Sequence, residues 1–291
     1  MASRLVPLLF AASIAASGCG GDGSDGAHAA RAAASSQRPF VASVRGGSAR
    51  IWAIGDSAGG GAAGSVARLI ARGRPDRVLY LGDLYPAGSA ETFRTSFARV
   101  YGALAPRIAP TPGNHDWPLH RTGYDPYWRR IHGRAPPQWY SFTAGGWRVI
   151  ELNSETGSRS AQLAWLRGQL RRRGDCRLVF WHRPRYSAGV HGDNADMDPY
   201  WRALEGHARL VVSGHDHDMQ RFYRRSGLIQ LVSGAGGKSH YAINHQRGYL
   251  AFTDDRHWGA LRIDLQRGRA RMAFVATSGH VLDTHTAACD P

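Results

Sequence analysis

The chain has 291 residues, 43% of them hydrophobic and 10% aromatic, enough to fill the core of one large domain or two small ones, which excludes a disordered chain. The formal charge is +15 and Lys238 is the single lysine, so the positive charge is almost all arginine. With no arginine-rich tail and no nucleic-acid-binding motif, the charge is read as spread over the surface, and no specific nucleic-acid partner is expected.

Taken in chain order, residues 1–19 read as an export leader: the basic start "MASR", the apolar "LVPLLFAASIAAS", and then Ala16, Ser17, Gly18 and Cys19. The apolar stretch is short for a bilayer span. It resembles a bacterial lipoprotein signal, which implies a lipid anchor at Cys19 and a protein held on the outer face of a membrane, or otherwise secreted. Residues 20–37, "GGDGSDGAHAARAAASSQ", read as a flexible tether, and the domain is expected over 38–291. A lipidated Cys19 leaves Cys176 and Cys289, and two cysteines in an oxidising compartment suggest one disulfide.

Within the domain, strand and helix patterns alternate. "ARIWAIGD" is an apolar run ending at Asp56; the helix-like "AAGSVARLIARG" follows; "DRVLYLGD" is a second run ending at Asp83. "SAETFRTSFARVYGAL" has helical spacing with Ser89 as N-cap. "RIAPTPGNHD" is extended, "QWYSFTAGGWRVIELNS" predicts a hairpin at Gly145-Gly146, and "SAQLAWLRGQLRRR" an amphipathic helix. "CRLVFWH" and "ARLVVSGH" are two buried-type strands, and the tail reads as further β structure with a hairpin at Arg267-Gly268. The sum is α/β with added antiparallel strands, a class in which ligands bind beyond the carboxyl ends of strands.

Five polar clusters follow these apolar runs: Gly55-Asp56, Gly82-Asp83, Gly113-Asn114-His115-Asp116, His182, and Gly214-His215-Asp216-His217. Alone, the Gly-Asp pairs and "GHDH" read as turns and His182 as a core histidine, while "GNHD" is rarer and stands evenly between a turn and a site; all five at strand ends, in this order, are hard to reach by chance. Aspartate and histidine are oxygen and nitrogen ligands suited to Zn, Fe or Mn. The clusters contain no cysteine, which argues against a structural zinc site. Six candidate ligands exceed one catalytic metal and suit two, about 3.5–4 Å apart, as in phosphoryl transfer.

These motifs resemble the calcineurin-like metallophosphoesterase superfamily, and within it the purple acid phosphatase-like branch and secreted bacterial phosphatases. The resemblance covers about residues 48–238. It implies a central β-sandwich flanked by helices (α-β-β-α), with metals at strand C-terminal ends. It implies Asp56 and His217 on a first metal, Asp83 bridging, and Asn114, His182 and His215 on a second. His115 would protonate the leaving group, Asp116 would orient His115, and His191 would reach the substrate phosphate. The implied activity is hydrolysis of phosphate monoesters on small substrates outside the cytoplasm, by attack of a metal-activated hydroxide. The alternative is a phosphodiesterase acting on nucleotides or phospholipid headgroups. The pattern departs at one position: the branch has an iron-binding tyrosine three residues after the bridging aspartate, whereas Tyr85 stands two after Asp83. Tyr85 either reaches the metal or packs beside it. His120, His132, His207, His240 and His245 are read as fillers, and Trp117, Trp128 and Trp181 as core. "GAGGKSH" lacks P-loop spacing and reads as a loop near the site. Arg183 and Arg185 are solvated by default, with a substrate anion as the alternative.

Overall fold

In the computed structural model, residues 39–172, 174–244 and 248–289 are described; the expected leader, Cys19 anchor and tether lie outside them. Thirteen strands are described. The first seven are β1 (Ser48–Ile54), β2 (Arg77–Tyr80), β3 (Ile108–Pro110), β4 (Tyr140–Ala144), β5 (Trp147–Glu151), β6 (Cys176–Phe180) and β7 (Leu210–Ser213). The rest are β8 (Met219–Phe222), β9 (Ile229–Ser233), β10 (Leu250–Asp254), β11 (Gly259–Gln266), β12 (Arg269–Ala276) and β13 (Val281–Ala288). They form two sheets, ordered β13-β12-β11-β1-β2-β3 and β10-β8-β9-β7-β6-β5-β4. Strands β1, β2 and β3 are parallel, as are β5, β6, β7 and β9; the flanking strands pair antiparallel.

Alternation along the strands explains the layers. Side chains two apart on a strand share a face. In the second sheet, Val149, Leu178, Phe180, Leu210 and Val212 join Ile51, Ala53, Leu261 and Ile263 of the first sheet in one apolar cluster. Their neighbours Ile150, Val179, Trp181 and Val211 point the other way, onto Leu166, Leu170, Tyr200, Trp201 and Leu204. Those residues belong to two helices, Arg159–Leu170 and Asp198–Leu204, which cover the outer face of the second sheet. On the first sheet, helix Ala63–Arg72 packs against β11 through a face that buries Val66, Ala67, Leu69 and Ile70. The result is the expected helix-flanked sandwich. Strands buried on both faces read as near-continuous apolar runs, which is why "CRLVF" and "LVVS" are apolar except at Arg177 and Ser213.

Both expected hairpins form. Gly145 and Gly146 take φ of +57° and +78°, the left-handed pair that a tight hairpin needs between β4 and β5. Cys176, at the start of β6, forms a disulfide with Cys289, just after β13, with Cα atoms 5.8 Å apart. Among the described residues, no helix is long and apolar enough to cross a membrane.

Candidate metal centre

The parallel strands end where the polar clusters begin. Asp56 follows β1, Asp83 follows β2, Asn114 follows β3, His182 follows β6 and His215 follows β7. Three of the five residues sit in left-handed backbone, with φ of +56° at Asp56, +66° at Asp83 and +74° at His215. Non-glycine residues there cost about 1–3 kcal/mol each and persist only where neighbours fix them. Here the fixing is visible: the Asp56 amide donates to Gly82 O at 3.0 Å, and the His215 amide to Asp56 Oδ2 at 2.8 Å. Gly113 is required by contact, because a Cβ there would lie 2.0 Å from Asp83 Oδ1.

The six side chains expected as ligands come together in two adjoining groups. In one, His182 Nε2 lies 3.0 Å from Asn114 Oδ1, 3.1 Å from His215 Nδ1 and 3.5 Å from Asp83 Oδ2. Asp83, His182 and His215 each offer one ligand atom within 4.8 Å of the others. In the other, His217 Nε2 lies 3.7 Å from Asp56 Oδ1 and 2.7 Å from the Tyr85 hydroxyl. That hydroxyl also lies 3.3 Å from both Asp56 Oδ1 and Asp83 Oδ2. So Tyr85, one residue early in sequence, still reaches the first group; Gly82 at φ +93° and Asp83 turn the chain back toward it.

Electrostatics tests the fit of cations to this donor set. His182 Nδ1 donates to Leu81 O at 2.7 Å, which leaves Nε2 as the atom facing an amide oxygen, an imidazole and a carboxylate. Burial alone would make His182 less basic, yet the Asp83 carboxylate outweighs it and pushes the imidazole up to about 10. Burial likewise opposes ionisation of Asp83, and His182 reverses that, holding the carboxyl well below its usual range. Positive charge is therefore favoured at this point even when only a proton supplies it. Burial pushes Asp56 well above the usual carboxylate range, and burial with the Asp56 and Asp83 charges raises the Tyr85 hydroxyl far above its ordinary value. Burial lowers His217 to about 4, and its Nδ1 bond to Ser239 O leaves the Nε2 lone pair toward Asp56 and Tyr85. Two carboxyl groups, three imidazoles, an amide and a phenol thus converge as oxygen and nitrogen donors, a set that fits hard-to-borderline cations.

The other expected residues flank this centre. His115 Nδ1 donates to Pro86 O at 2.8 Å, and its Nε2 lies 4.0 Å from Asp83 Oδ2. Asp116 does not orient His115, which corrects the expectation. Its buried carboxylate accepts the amides of Asp83 (2.8 Å), Gly113 (2.9 Å) and Leu84 (3.1 Å), so it ties the β2 and β3 loops together. Turn geometry points adjacent side chains apart, and a carbonyl took the place at His115 that Asp116 was expected to fill. His191 stacks on His215, ring centroids 4.0 Å apart, and donates Nδ1–H to Asp216 Oδ1 at 2.8 Å. Arg183 is held by Glu155 at 2.9 Å with Nη1 3.3 Å from His215 Nε2, so it is an ordered residue of the rim. Arg185 pairs with Asp198 instead. Sequence reasoning missed Tyr241, whose ring stacks on His217 at 3.8 Å and 11°. It gave Lys238 no role, yet Nζ lies 4.8 Å from the Tyr85 ring centre. The one local signal for both was the "GAGGKSH" loop.

The model of the calcineurin-like phosphoesterase family matches residues 49–219. Among curated proteins, the rat (Rattus norvegicus) tartrate-resistant acid phosphatase type 5 is 29% identical over 142 residues, covering 45% of this chain and 43% of its own. The human (Homo sapiens) protein of that name is 30% identical over 131 residues, 42% and 40% of the two chains. The chain thus matches less than half the length of these relatives. Among solved structures, a purple acid phosphatase from yellow lupin (Lupinus luteus) seeds has a TM-score of 0.69 at 17% identity, covering 87% of this chain and 55% of its own. GAP50, described as the anchor in the inner membrane complex of Plasmodium, also has a TM-score of 0.69 at 16% identity, over 84% and 90% of the two chains. A phosphatase and an anchor share this architecture, so the structural likeness speaks for the fold and the residues must speak for the chemistry. On the family match and its coverage, the chain belongs to the calcineurin-like phosphoesterase family.

Proposed function

We propose that the protein is a dinuclear-metal hydrolase of small phosphate esters, with monoesters its main substrates. The observation that carries this reading is the convergence of Asp56, Asp83, Asn114, His182, His215 and His217, with three acceptors within 3.5 Å of His182 Nε2. Asp56, His217 and Tyr85 would hold one cation, Asn114, His182 and His215 the other, and Asp83 both. Cations of the Fe, Zn or Mn class bound there would supply Lewis acidity to the phosphoryl oxygens and make water a nucleophile near neutral pH.

The chain's own residues do the rest. His191, fixed by Asp216, contacts a phosphoryl oxygen beside the His215 side of the centre. Pro86 O fixes the Nδ1 proton of His115, which leaves Nε2 to carry a second proton toward the leaving oxygen. Water adds to phosphorus, the ester P–O bond breaks, and His115 protonates the departing alkoxide, giving an alcohol and phosphate. We also propose export with a lipid anchor at Cys19; the Cys19→Ser variant should then leave the membrane fraction.

The test is metal analysis with a visible spectrum, followed by hydrolysis of p-nitrophenyl phosphate and bis-p-nitrophenyl phosphate. About two metals per chain and faster hydrolysis of the monoester are expected. Faster turnover of the diester would make the protein a phosphodiesterase, and bound metal with no hydrolysis across pH would sink the enzyme reading. Asp83→Asn should cut turnover by more than about 100-fold, beyond the loss typical of a residue behind the ligands, with the circular dichroism spectrum unchanged.

A further inference from the structure

We infer that Lys238 is a substrate-binding residue that contacts a phosphoryl oxygen and selects phosphomonoester dianions over diester monoanions. This rests on the hydrolase reading above. Lys238 is one lysine in a chain with 37 basic lysine and arginine residues, so the ammonium stands where every other cationic position is arginine. A planar guanidinium favours stacking and forked pairing; an ammonium is a compact charge with three donors on a flexible stem.

Its backbone is fixed to two residues of the Asp56–His217 group. The Lys238 amide donates to Asp56 O at 3.1 Å, and the next residue's carbonyl, Ser239 O, accepts from His217 Nδ1 at 2.8 Å. Gly236 O accepts the Ser57 hydroxyl at 2.6 Å, and a Cβ on Gly60 would lie 2.2 Å from Gly237 O, so the loop is wedged against the Asp56 turn. From this base, Nζ lies 4.8 Å from the centre of the Tyr85 ring, whose hydroxyl touches Asp56, Asp83 and His217. Among the described residues the ammonium has no ion pair and no hydrogen bond, only this ring contact. Arg183, the other cation at the rim, is already engaged by Glu155. Lys238 therefore keeps its donors free beside Tyr85, while His191 stacks on His215. A monoester dianion offers an oxygen and a charge that a diester has lost to its second ester bond, and a free ammonium favours the more charged ligand.

The test compares wild type, Lys238→Met and Lys238→Arg in the metal-loaded full chain. The readouts are kcat and KM on p-nitrophenyl phosphate and its bis ester, calorimetric Kd for inorganic phosphate, and Tm. Lys238→Met is expected to raise KM for the monoester and Kd for phosphate about 10- to 100-fold, the worth of one contact to a charged group, with kcat moving less. The monoester-to-diester ratio of kcat/KM should fall in the same proportion, and Lys238→Arg should recover part of it. An unchanged phosphate Kd, equal losses on both esters, or a lower Tm without a shift in phosphate Kd would overturn the proposal; the last would make Lys238 a strut on Tyr85. If wild type hydrolyses neither ester, the hydrolase reading fails, and the phosphate Kd alone decides the Lys238 contact.

Discussion

Asp116 has a buried carboxylate with three amide donors from the two loops that follow β2 and β3. An asparagine there can accept from one side only and turns its own N–H groups toward a backbone donor. Asp116→Asn should lower stability by about 1–3 kcal/mol, the cost of leaving a buried donor unmatched. Metal affinity should fall about 10- to 100-fold, as for other residues behind a ligand shell. Because Asp116 does not touch His115, the acid-base limbs of the pH–rate profile should stay where they are; a shifted limb would restore the orienting role. Residues of this kind are hard to read in a sequence. "GNHD" marked the place, but whether its aspartate faces the histidine or the loop amides depends on where the β2 loop lies.

Helix Tyr124–His132 shows how packing overrides a local preference. A cationic histidine at a helix C-terminus usually gains about 0.3–1 kcal/mol from the dipole. His132 stands at that end, before Gly133 in the left-handed conformation, but it is packed against Phe40 and Trp128. Burial, with the Arg77 charge adding, lowers it to about 4. The folded state therefore holds the ring neutral. Its contribution is fully present above the ordinary value near 6.5 and is lost as pH falls from there toward 4, because only the unfolded chain takes up the proton. His132→Phe keeps an aromatic ring and removes the titration. Its Tm should drop less between pH 7 and pH 5 than that of wild type; equal drops would refute the assignment. The same helix escaped sequence reading, since "YDPYWRRIH" carries a proline and mixed polarity, whereas the Ser89 cap, accepting the Thr92 amide at 3.1 Å, was legible.

Across the whole molecule, the Cys176–Cys289 disulfide closes a separation of 113 residues. Cross-linking so long a loop is worth at most about 5 kcal/mol in the chain-entropy account, and about 2–5 kcal/mol is typical of native bridges. Cys289→Ser with Cys176→Ser should lower the unfolding free energy by that amount and the urea midpoint with it. Activity at low temperature should persist, because Cys176 starts β6 while His182 follows its other end. An unchanged midpoint would show that the bridge adds nothing to the fold.

The sequence by itself determined the strand runs, the hairpin glycines and the polar cluster after each parallel strand, because periodicity and turn chemistry act over a few residues. Only the tertiary structure decided that Asp116 serves the loops, that Tyr85 reaches Asp56 and His217, and that Lys238 and Tyr241 border the centre. Those contacts join loops far apart in the chain. No local pattern encodes them; they follow from how the strand ends of two sheets meet.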